Sequence, residues 1–333
     1  MLLDPLESRL AIQHALENRY AILAINADSH AALSDCLEAA LQMNAPVIIE
    51  TSLWQLEGHS FGAGDAILGL SRYIANLALL ANSSRYKGIP VIYHTDHIKG
   101  RKTMEILESA IRGTSLSVHR EEIQLKASTI SLDASELTHD QTVEHILHLC
   151  NFSRKNNTAV TLEMEDAVDE GITPPDVAVK LLGSVEASYP NHIHLWAPGV
   201  GTKHGFGENM SFSPKTIEEH VALSKKITGR EIGIALHGST GLKAEDLSSA
   251  AKAGVVKVNW STESLYIRSN AAKKYYEGMA DQFDKKHKDW KATAMDNGVN
   301  RFVSGIYLPK VKERMKILGA ENKAPEVMKL LHQ

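Results

Sequence analysis

The feature that most constrains the fold of this chain is the regular alternation of strand-like and helix-like segments. Short apolar runs, each suited to a strand that is covered on both faces, occur at residues 21–27, 45–52, 89–95, 128–135, 159–165, 193–199, 231–238 and 255–261. Segments with apolar residues at i, i+3 and i+4 lie between them, at residues 31–43, 65–82, 103–112, 140–154, 176–187, 214–227 and 244–253. This alternation is typical of a parallel sheet whose strands are joined by helices.

The repeated β-then-α units carry no glycine-rich dinucleotide fingerprint, so they predict an α/β fold of the (β/α)8 TIM barrel type, which needs about 250 residues. A doubly wound sheet is the alternative. We expect one domain over residues 1–333, with residues 262–333 as a C-terminal helical extension. In that extension we expect a helical stretch through Phe283, a charged segment at 284–291 and a helix at 307–319.

The charge balance argues against two classes of partner. Lys and Arg number 36 against 40 Asp and Glu, a net charge of -4, so neither nucleic acid nor an anionic membrane is expected as a partner.

No run of 18 apolar residues occurs, and the first residues lack a basic region followed by an apolar core, so we expect a cytoplasmic protein. Cys36 and Cys150 lie in apolar helical segments, which favours reduced thiols.

Polar side chains stand at the carboxyl ends of nearly all the predicted strands. The residues at these ends are Asn26, Ser52, Asp96 and His97, Asp133 and Ser135, Glu163 and Glu165, His204, His237 and the adjoining Gly238, and Asn259 and Ser261. A parallel barrel brings these ends together at one mouth, where the active sites of such barrels lie. The sequence therefore predicts an active site built from this set.

Three histidines of the set, His97, His204 and His237, come from separate strand ends or loops. Three neutral imidazoles with an open fourth position make a catalytic zinc-type site, at which the ion can polarise a carbonyl and stabilise an enediolate. Other histidines, such as His145 and His148, lie on helical faces where a solvated or hydrogen-bonded role is expected.

Asp96 adjoins His97 and, by strand alternation, should face away from it or lie just beyond it. Near a cation its carboxylate would stay ionised and could exchange a proton with a substrate hydroxyl, although it could instead merely orient a histidine.

Glu163 and Glu165 share one face of their strand, so at least one should point into the barrel and need a cation or a lysine as partner. The turn after His237, Gly-Ser-Thr-Gly241, could bind an anion through its backbone N–H groups.

With these motifs together, the chain resembles the class II, metal-dependent fructose-bisphosphate and tagatose-bisphosphate aldolases over nearly its full length. The motifs that carry the resemblance are Thr95-Asp96-His97, Leu132-Asp133-Ala-Ser135, Leu162-Glu-Met-Glu165, Lys203-His204-Gly205-Phe206, Leu236-His237-Gly-Ser-Thr-Gly241 and Val256-Lys-Val-Asn259.

The resemblance implies Zn2+, or a similar divalent metal, held by His97, His204 and His237, with Asp133 and Glu165 lining a deeper alternative metal position. It further implies that Asp96 shuttles the proton of the C4 hydroxyl, and that an acid on a mobile loop protonates the enediolate of dihydroxyacetone phosphate. Glu170 is the candidate for that loop acid, with Asp169 as the alternative. A bound monovalent cation is also a family feature.

The resemblance also implies a substrate site. Gly205, Gly238, Thr240 and Asn259 match positions that bind the ketose phosphate in the family, and Ser52 matches a serine that contacts substrate. Asn26 and Ser261, at neighbouring strand ends, complete the predicted substrate-binding set.

Three departures from the family pattern lie at this substrate end. Glu208 stands where the family commonly has a lysine, Ser261 replaces a carboxylate that contacts substrate, and Ser239 replaces a glycine. The metal and proton-transfer positions are intact, so the sequence predicts retained chemistry on an altered substrate.

The sequence therefore predicts a zinc-dependent aldolase that reversibly cleaves a ketose phosphate, or bisphosphate, into dihydroxyacetone phosphate and an aldehyde. The substrate is a small sugar phosphate, and the expected assembly is a homodimer or homotetramer. Two alternatives stay open: a non-catalytic accessory subunit with an aldolase-like barrel, and a barrel metalloenzyme, such as an isomerase, that acts on a related sugar or sugar acid.

Overall fold

The structure, a computed structural model, describes residues 1–118, 121–166, 171–206 and 211–332. Its strands are β1 (Ile22–Asn26), β2 (Val47–Thr51), β3 (Val91–Ile98), β4 (Thr114–Val118), β5 (Glu121–Leu125), β6 (Thr129–Leu132), β7 (Leu162–Asp166), β8 (Ile193–Pro198), β9 (Gly233–Leu236) and β10 (Val255–Trp260). Over these ranges, β1, β2, β3, β6, β7, β8, β9 and β10 pair in parallel in that order, and β10 closes the ring on β1. The predicted TIM barrel is confirmed, whereas the antiparallel hairpin of β4 and β5 was not predicted.

Helices cover the outside of the barrel. In the described part of the chain they are α1 (Pro5–Glu17), α2 (His30–Met43), α3 (Leu53–Glu57), α4 (Ala66–Ala81), α5 (Thr103–Arg112), α6 (His139–Lys155), α7 (Pro175–Ser188), α8 (Pro214–Thr228), α9 (Ala244–Ala253), α10 (Thr262–Glu277), α11 (Asp296–Ile317) and α12 (Ala324–Leu331). Short 3₁₀ helices at Ala280–Phe283 and Trp290–Thr293 connect α10 to α11.

The helix at the start of the chain was not predicted, although its sequence carries a start signal. The Asp4 side chain accepts hydrogen bonds from the backbone N–H groups of Leu6 and Glu7, and the Glu7 carboxylate accepts from the N–H of Asp4 at 2.8 Å. This reciprocal capping, with Pro5 at the first helical position, explains why the helix begins there.

The C-terminal extension differs in its bounds from the prediction. The helix α10 ends at Glu277, before Phe283, and α11 begins at Asp296 instead of residue 307. Pro309 lies inside α11, a position that usually breaks a helix. The helix continues because buried Val303, Tyr307, Val311 and Met315 anchor one face of it, and α11 packs against α2 and α10.

The core lies between the barrel and its helices. The strands β1, β2, β6, β9 and β10 are buried along their whole length, as expected for a sheet that is covered on both faces. Each fully buried leucine or isoleucine contributes about 1.5–3 kcal/mol to folding, so this ring fixes the strand ends firmly.

Cys36 and Cys150 are buried free thiols in α2 and α6. Within the described ranges, none of the helices combines the length and the apolar character that crossing a membrane requires.

Candidate active site

The carboxyl end of β3 departs from regular strand geometry at the most reactive part of the sequence. The register between β3 and β6 shifts between Thr95 and Ile98. His97 has a φ of 50°, in the left-handed region that a histidine rarely adopts. This bulge breaks the strict alternation of side chains. Of the two arrangements expected for Asp96, the one in which it faces away from His97 is therefore wrong, since the Asp96 Oδ1 and His97 Nε2 atoms are 3.9 Å apart.

The three histidines predicted as ligands come together at the mouth of the barrel. The ring centres of His97 and His237 are 4.6 Å apart, and that of His204 lies 5.1 Å from His97 and 5.7 Å from His237. One ring nitrogen from each residue lies within 4.8 Å of the other two, a spacing that allows a single ion to bind all three. His237 is buried, His97 is half-buried and His204 is exposed to the cavity.

Neighbouring carboxylates determine which ring nitrogens can bind a cation. His237 Nε2 is 2.7 Å from Glu163 Oε1, so Nε2 carries a hydrogen and Nδ1 keeps a lone pair. His97 Nδ1 is 3.3 Å from Glu165 Oε2, which leaves the lone pair on Nε2. These two lone-pair atoms, His97 Nε2 and His237 Nδ1, are 2.8 Å apart. They repel unless a proton or a metal ion lies between them, so the donor set fits a divalent metal with imidazole ligands.

Asp96 lies beside the histidines and is held by amide and hydroxyl donors. Asn259 Nδ2 donates to its Oδ1 at 2.9 Å, and Asn26 Nδ2 and Ser52 Oγ donate to its Oδ2 at 3.3 Å each. Burial opposes its ionisation, but attraction to His97, when that ring is protonated, and to the ammonium of Lys257 outweighs that effect and holds the pKa of Asp96 below its ordinary value. The side chain is therefore an ionised carboxylate in a fixed orientation.

A buried lysine occupies the barrel interior below Asp96. Lys257 Nζ lies 3.0 Å from Glu163 Oε2, 3.4 Å from Glu50 Oε2 and 3.9 Å from Asp96 Oδ1. It is the lysine partner that the inward-pointing Glu163 required. Burial and the charge of Asp96 raise the pKa of Glu50 well above its usual value, whereas burial and the charge of Lys257 lower the pKa of His94 to about 3.

The residues of the predicted deeper metal position are also close together. Ligand atoms of His97, Asp133 and Glu165 lie within 4.8 Å of one another. Oε1 of buried Glu165 lacks a hydrogen-bond partner among the described residues, and Oε2 has His97 Nδ1 as its neighbour at 3.3 Å. An unpaired buried carboxylate oxygen of this kind suits a cation. Asp133 is also paired with Lys99 at 3.2 Å.

A cavity of about 470 Å³ opens above these groups. Every member of the predicted substrate set lines it, namely Asn26, Ser52, Gly205, Gly238, Thr240, Asn259 and Ser261. Gly238 has a φ of 63°, and a Cβ there would lie 2.6 Å from the carbonyl oxygen of Lys203. A side chain at this position would therefore collide with the backbone that carries His204.

The substitutions at the substrate end have distinct structural consequences. Ser239 is buried, and its hydroxyl donates to the carbonyl oxygen of Asn259 at 2.5 Å, so the chain itself satisfies it. Ser261 lines the cavity with a short side chain that leaves space. The nearby carboxylate of Glu263, two residues after Ser261, accepts hydrogen bonds from Trp260 Nε1 and Arg314 Nη2 and does not line the cavity. Glu170, its alternative Asp169, and Glu208 lie outside the described residues.

Sequence reasoning missed several residues of the site. Lys257 and Glu50 interrupt otherwise apolar strands, and a charged residue within such a run signals a side chain that points into the barrel. Trp54, Glu57 and Lys99 also line the cavity, but no motif distinguishes them from ordinary loop residues.

The chain is similar in sequence and in fold to known proteins. The family model described as fructose-bisphosphate aldolase class-II matches residues 7–323 of this chain. The chain belongs to the class II fructose-bisphosphate aldolase family. It is accordingly an enzyme of the aldehyde-lyase class.

Relatives in this aldolase family align over most of the chain. The fructose-bisphosphate aldolase of Streptococcus pneumoniae serotype 4 is 26% identical over 323 residues, which cover 94% of this chain and 97% of that protein. The fructose-bisphosphate aldolase of Candida albicans is 27% identical over 289 residues, covering 79% of this chain and 78% of that protein.

Solved structures share the same fold. The crystal structure of fructose-bisphosphate aldolase from Campylobacter jejuni matches with a TM-score of 0.76 at 20% identity, covering 97% of this chain and 96% of that one. The YdjI aldolase from Escherichia coli K12 matches with a TM-score of 0.70 at 18% identity, covering 97% of this chain and 100% of that one.

Proposed function

We propose that this aldolase reversibly cleaves a ketose phosphate into dihydroxyacetone phosphate and an aldehyde, with Zn2+ or a similar divalent ion held by His97, His204 and His237. The observation that carries the proposal is the position of Asp96. Its ionised carboxylate adjoins the three imidazoles and is held from both sides, by Asn259 Nδ2 at 2.9 Å and by Asn26 Nδ2 at 3.3 Å.

The metal and the protein have separate tasks in this proposal. A divalent ion at the imidazoles would polarise the substrate ketone and stabilise the negative charge that develops on its oxygen. Glu163 would keep Nδ1 of His237 available as a ligand through the 2.7 Å hydrogen bond to Nε2. Asp133 and Glu165 would form the deeper alternative position beside His97, and a monovalent cation is a further proposed cofactor.

Asp96 is the proposed base. It would take the proton of the C4 hydroxyl while the bond between C3 and C4 breaks, which releases the aldehyde, and would return the proton in the reverse direction. Lys257 lies 3.9 Å from Asp96 Oδ1 and offsets its charge, so the carboxylate stays ionised before the reaction. Glu170, or Asp169 in its place, is the proposed acid that protonates C3 after cleavage.

The substrate phosphate is proposed to bind where β8, β9 and β10 end. Gly205, Gly238 and Thr240 line that part of the cavity, which offers backbone N–H groups and a hydroxyl to an anion. Asn259, Ser52, Asn26 and Ser261 line the space between this wall and Asp96, within reach of sugar hydroxyls.

The test is release of triose phosphate from a panel of ketose phosphates by three preparations: zinc-loaded, chelator-stripped and reloaded protein. Turnover that is lost on stripping and regained on reloading is the expected result. Product analysis distinguishes the alternatives, since an aldolase yields two fragments, an isomerase yields one isomer and an accessory subunit yields neither. Absence of cleavage across the panel in folded, zinc-loaded protein would contradict the proposal.

A homodimer or homotetramer is the proposed assembly. Aromatic side chains are exposed on the C-terminal extension, at Tyr266, Tyr276, Phe283, Trp290 and Phe302. Exposed apolar surface of this kind favours contact with another subunit. Light scattering of the purified chain measures its mass directly, and a monomeric mass would refute the assembly.

A further inference from the structure

The active-site cavity has two opposite walls of different chemistry. One wall follows β8, β9 and β10 and includes Gly205, Gly238 and Thr240. The other follows β2, β3 and β6 and includes Trp54 and Glu57 of α3. In the ring order of the barrel, β2, β3 and β6 stand across from β8, β9 and β10. The histidines and Asp96 lie between the walls, so a substrate cleaved there places one half on each.

The wall formed by α3, Lys99 and Asp133 is poorly suited to a phosphate group. Phosphates in proteins are bound by arginine or lysine side chains or by converging backbone N–H groups. Among the described residues that line this wall, the cation is Lys99, and its ammonium is already 3.2 Å from Asp133 Oδ2 and 4.0 Å from Glu136 Oε1. Glu57 adds a further carboxylate. A phosphate on this side would meet more negative than positive charge.

The same wall is well suited to an uncharged polyhydroxylated chain. The indole of Trp54 is 52% exposed although it lines the cavity, and Leu53 lies beside it. An indole packs against the C–H faces of a sugar and offers one N–H donor. The Glu57 carboxylate can accept hydrogen bonds from hydroxyl groups. An apolar surface with a few polar groups that fix orientation is the usual composition of a small-molecule site.

We propose that the substrate carries a single phosphate, on its ketone half, and that Trp54 and Glu57 receive an unphosphorylated aldehyde half. This inference rests on the aldolase function proposed above and specifies its substrate class. The reaction is then a ketose 1-phosphate giving dihydroxyacetone phosphate and a neutral aldose. The C3–C4 bond breaks and its electron pair stays on C3, the C4 hydroxyl proton passes to Asp96 and from there to solvent, and C3 gains a proton from the proposed loop acid, which solvent protonates again.

The test uses the condensation direction, in which the two halves are supplied separately. Zinc-loaded full-length enzyme is given dihydroxyacetone phosphate with racemic glyceraldehyde, erythrose, glyceraldehyde 3-phosphate or erythrose 4-phosphate. We expect kcat/KM for an unphosphorylated aldehyde to exceed that for its phosphorylated counterpart at least tenfold. Equal values, a preference for the phosphorylated partner, or no condensation with either unphosphorylated aldehyde would overturn the inference.

A second measurement separates failure of this inference from failure of the proposed function. Exchange of the C3 hydrogen of dihydroxyacetone phosphate with deuterated solvent needs the metal and the ketone half but no aldehyde. Metal-dependent exchange together with a preference for phosphorylated aldehydes would leave the aldolase function standing and refute the single-phosphate substrate. Absence of exchange in folded, zinc-loaded protein would remove the function and the inference together.

Variants of α3 test the two named residues. Glu57→Lys should raise kcat/KM for glyceraldehyde 3-phosphate about tenfold without a matching gain for glyceraldehyde. The control Glu144→Lys, at an exposed position on α6, should change neither value. Trp54→Ala should raise KM for glyceraldehyde about tenfold while kcat changes less than twofold, a separation that a loss of folding would not produce. No response to either α3 variant would show that this wall does not contact the aldehyde.

Discussion

Nζ of Lys257 lies 3.0 Å from Oε2 of Glu163, and neither side chain has exposed surface. Burial disfavours the charge of Lys257, but the charge of Glu163 outweighs this effect and raises the pKa of Lys257 above its ordinary value. Glu163 in turn bonds with His237 Nε2. A single ammonium group therefore supports both the histidine cluster and the Asp96 carboxylate from below.

Removing that ammonium should destabilise the fold strongly. Lys257→Met leaves buried carboxylates without their cation, and breaking a buried ion pair in this way costs about 3–5 kcal/mol. Urea unfolding of metal-stripped protein measures the change in the free energy of unfolding. Lys252→Met, at an exposed position on α9, is the control and should change stability by no more than about 0.5 kcal/mol. A loss below about 1 kcal/mol for Lys257→Met would contradict the role assigned to Lys257.

Asp96→Asn should separate chemistry from metal binding. The amide keeps the shape of the carboxylate but cannot take a proton, so kcat should fall by about 10²–10⁴-fold, the usual contribution of a general base. Metal content, measured by mass spectrometry, should stay close to that of the wild type. Asp140→Asn, at an exposed position on α6, is the matched control and should keep full activity. Wild-type turnover by Asp96→Asn would exclude Asp96 as the base.

His204→Ala should remove the metal and the activity together. The other two histidines would leave an incomplete ligand set, and structural or catalytic zinc sites need at least three protein ligands. The number of zinc ions per chain after dialysis is the direct readout, with turnover measured alongside. His145→Ala, on the outer helix α6, should retain both. The ligand assignment fails if His204→Ala keeps its zinc.

Stability should fall as the pH is lowered from about 6.5 toward 3, in part because of His194. Burial and the charges of Arg9 and Arg230 lower the pKa of His194 to about 3. An unfolded histidine takes up a proton near pH 6.5, so between these values the unfolded chain binds more protons and becomes favoured. One such group changes the free energy of unfolding by at most about 1.4 kcal/mol per pH unit.

Comparison of variants shows which histidine causes this pH dependence of stability. His194→Asn should flatten the dependence of the unfolding free energy on pH in metal-stripped protein, whereas His59→Asn, at an exposed site, should not. His94 acts in the same direction, since burial and Lys257 lower its pKa to about 3, so part of the slope should remain. An unchanged slope in His194→Asn would show that His194 is not a source.

The barrel could be predicted from the sequence because its signal is local. A strand that is covered on both faces is mostly apolar, and the run at residues 45–52, although interrupted by Glu50, contains the whole of β2. The candidate site residues at the strand ends could also be predicted, since a carboxylate or imidazole such as Asp96 or His237 is costly at the end of an apolar run without a partner.

The remaining features depend on contacts that one stretch of sequence does not contain. The proximity of Asp96 and His97 needs the bulge at the end of β3, and strand alternation alone predicts the opposite arrangement. The partners of Lys257 come from β2, β3 and β7, which only closure of the barrel brings together. The long helix α11 crosses Pro309 because tertiary packing outweighs local propensity there.

His97 lies at the end of β3, and His204 and His237 follow β8 and β9, three strands of a ring that is joined by backbone hydrogen bonds. In a small zinc domain, metal binding and folding are one event, so a chelator unfolds the chain. Here a large buried core surrounds the strands that position the imidazoles, so we expect the chain to fold without the ion. The metal site would therefore be filled after folding, and the supply of divalent ions around the finished protein would determine which metal it carries.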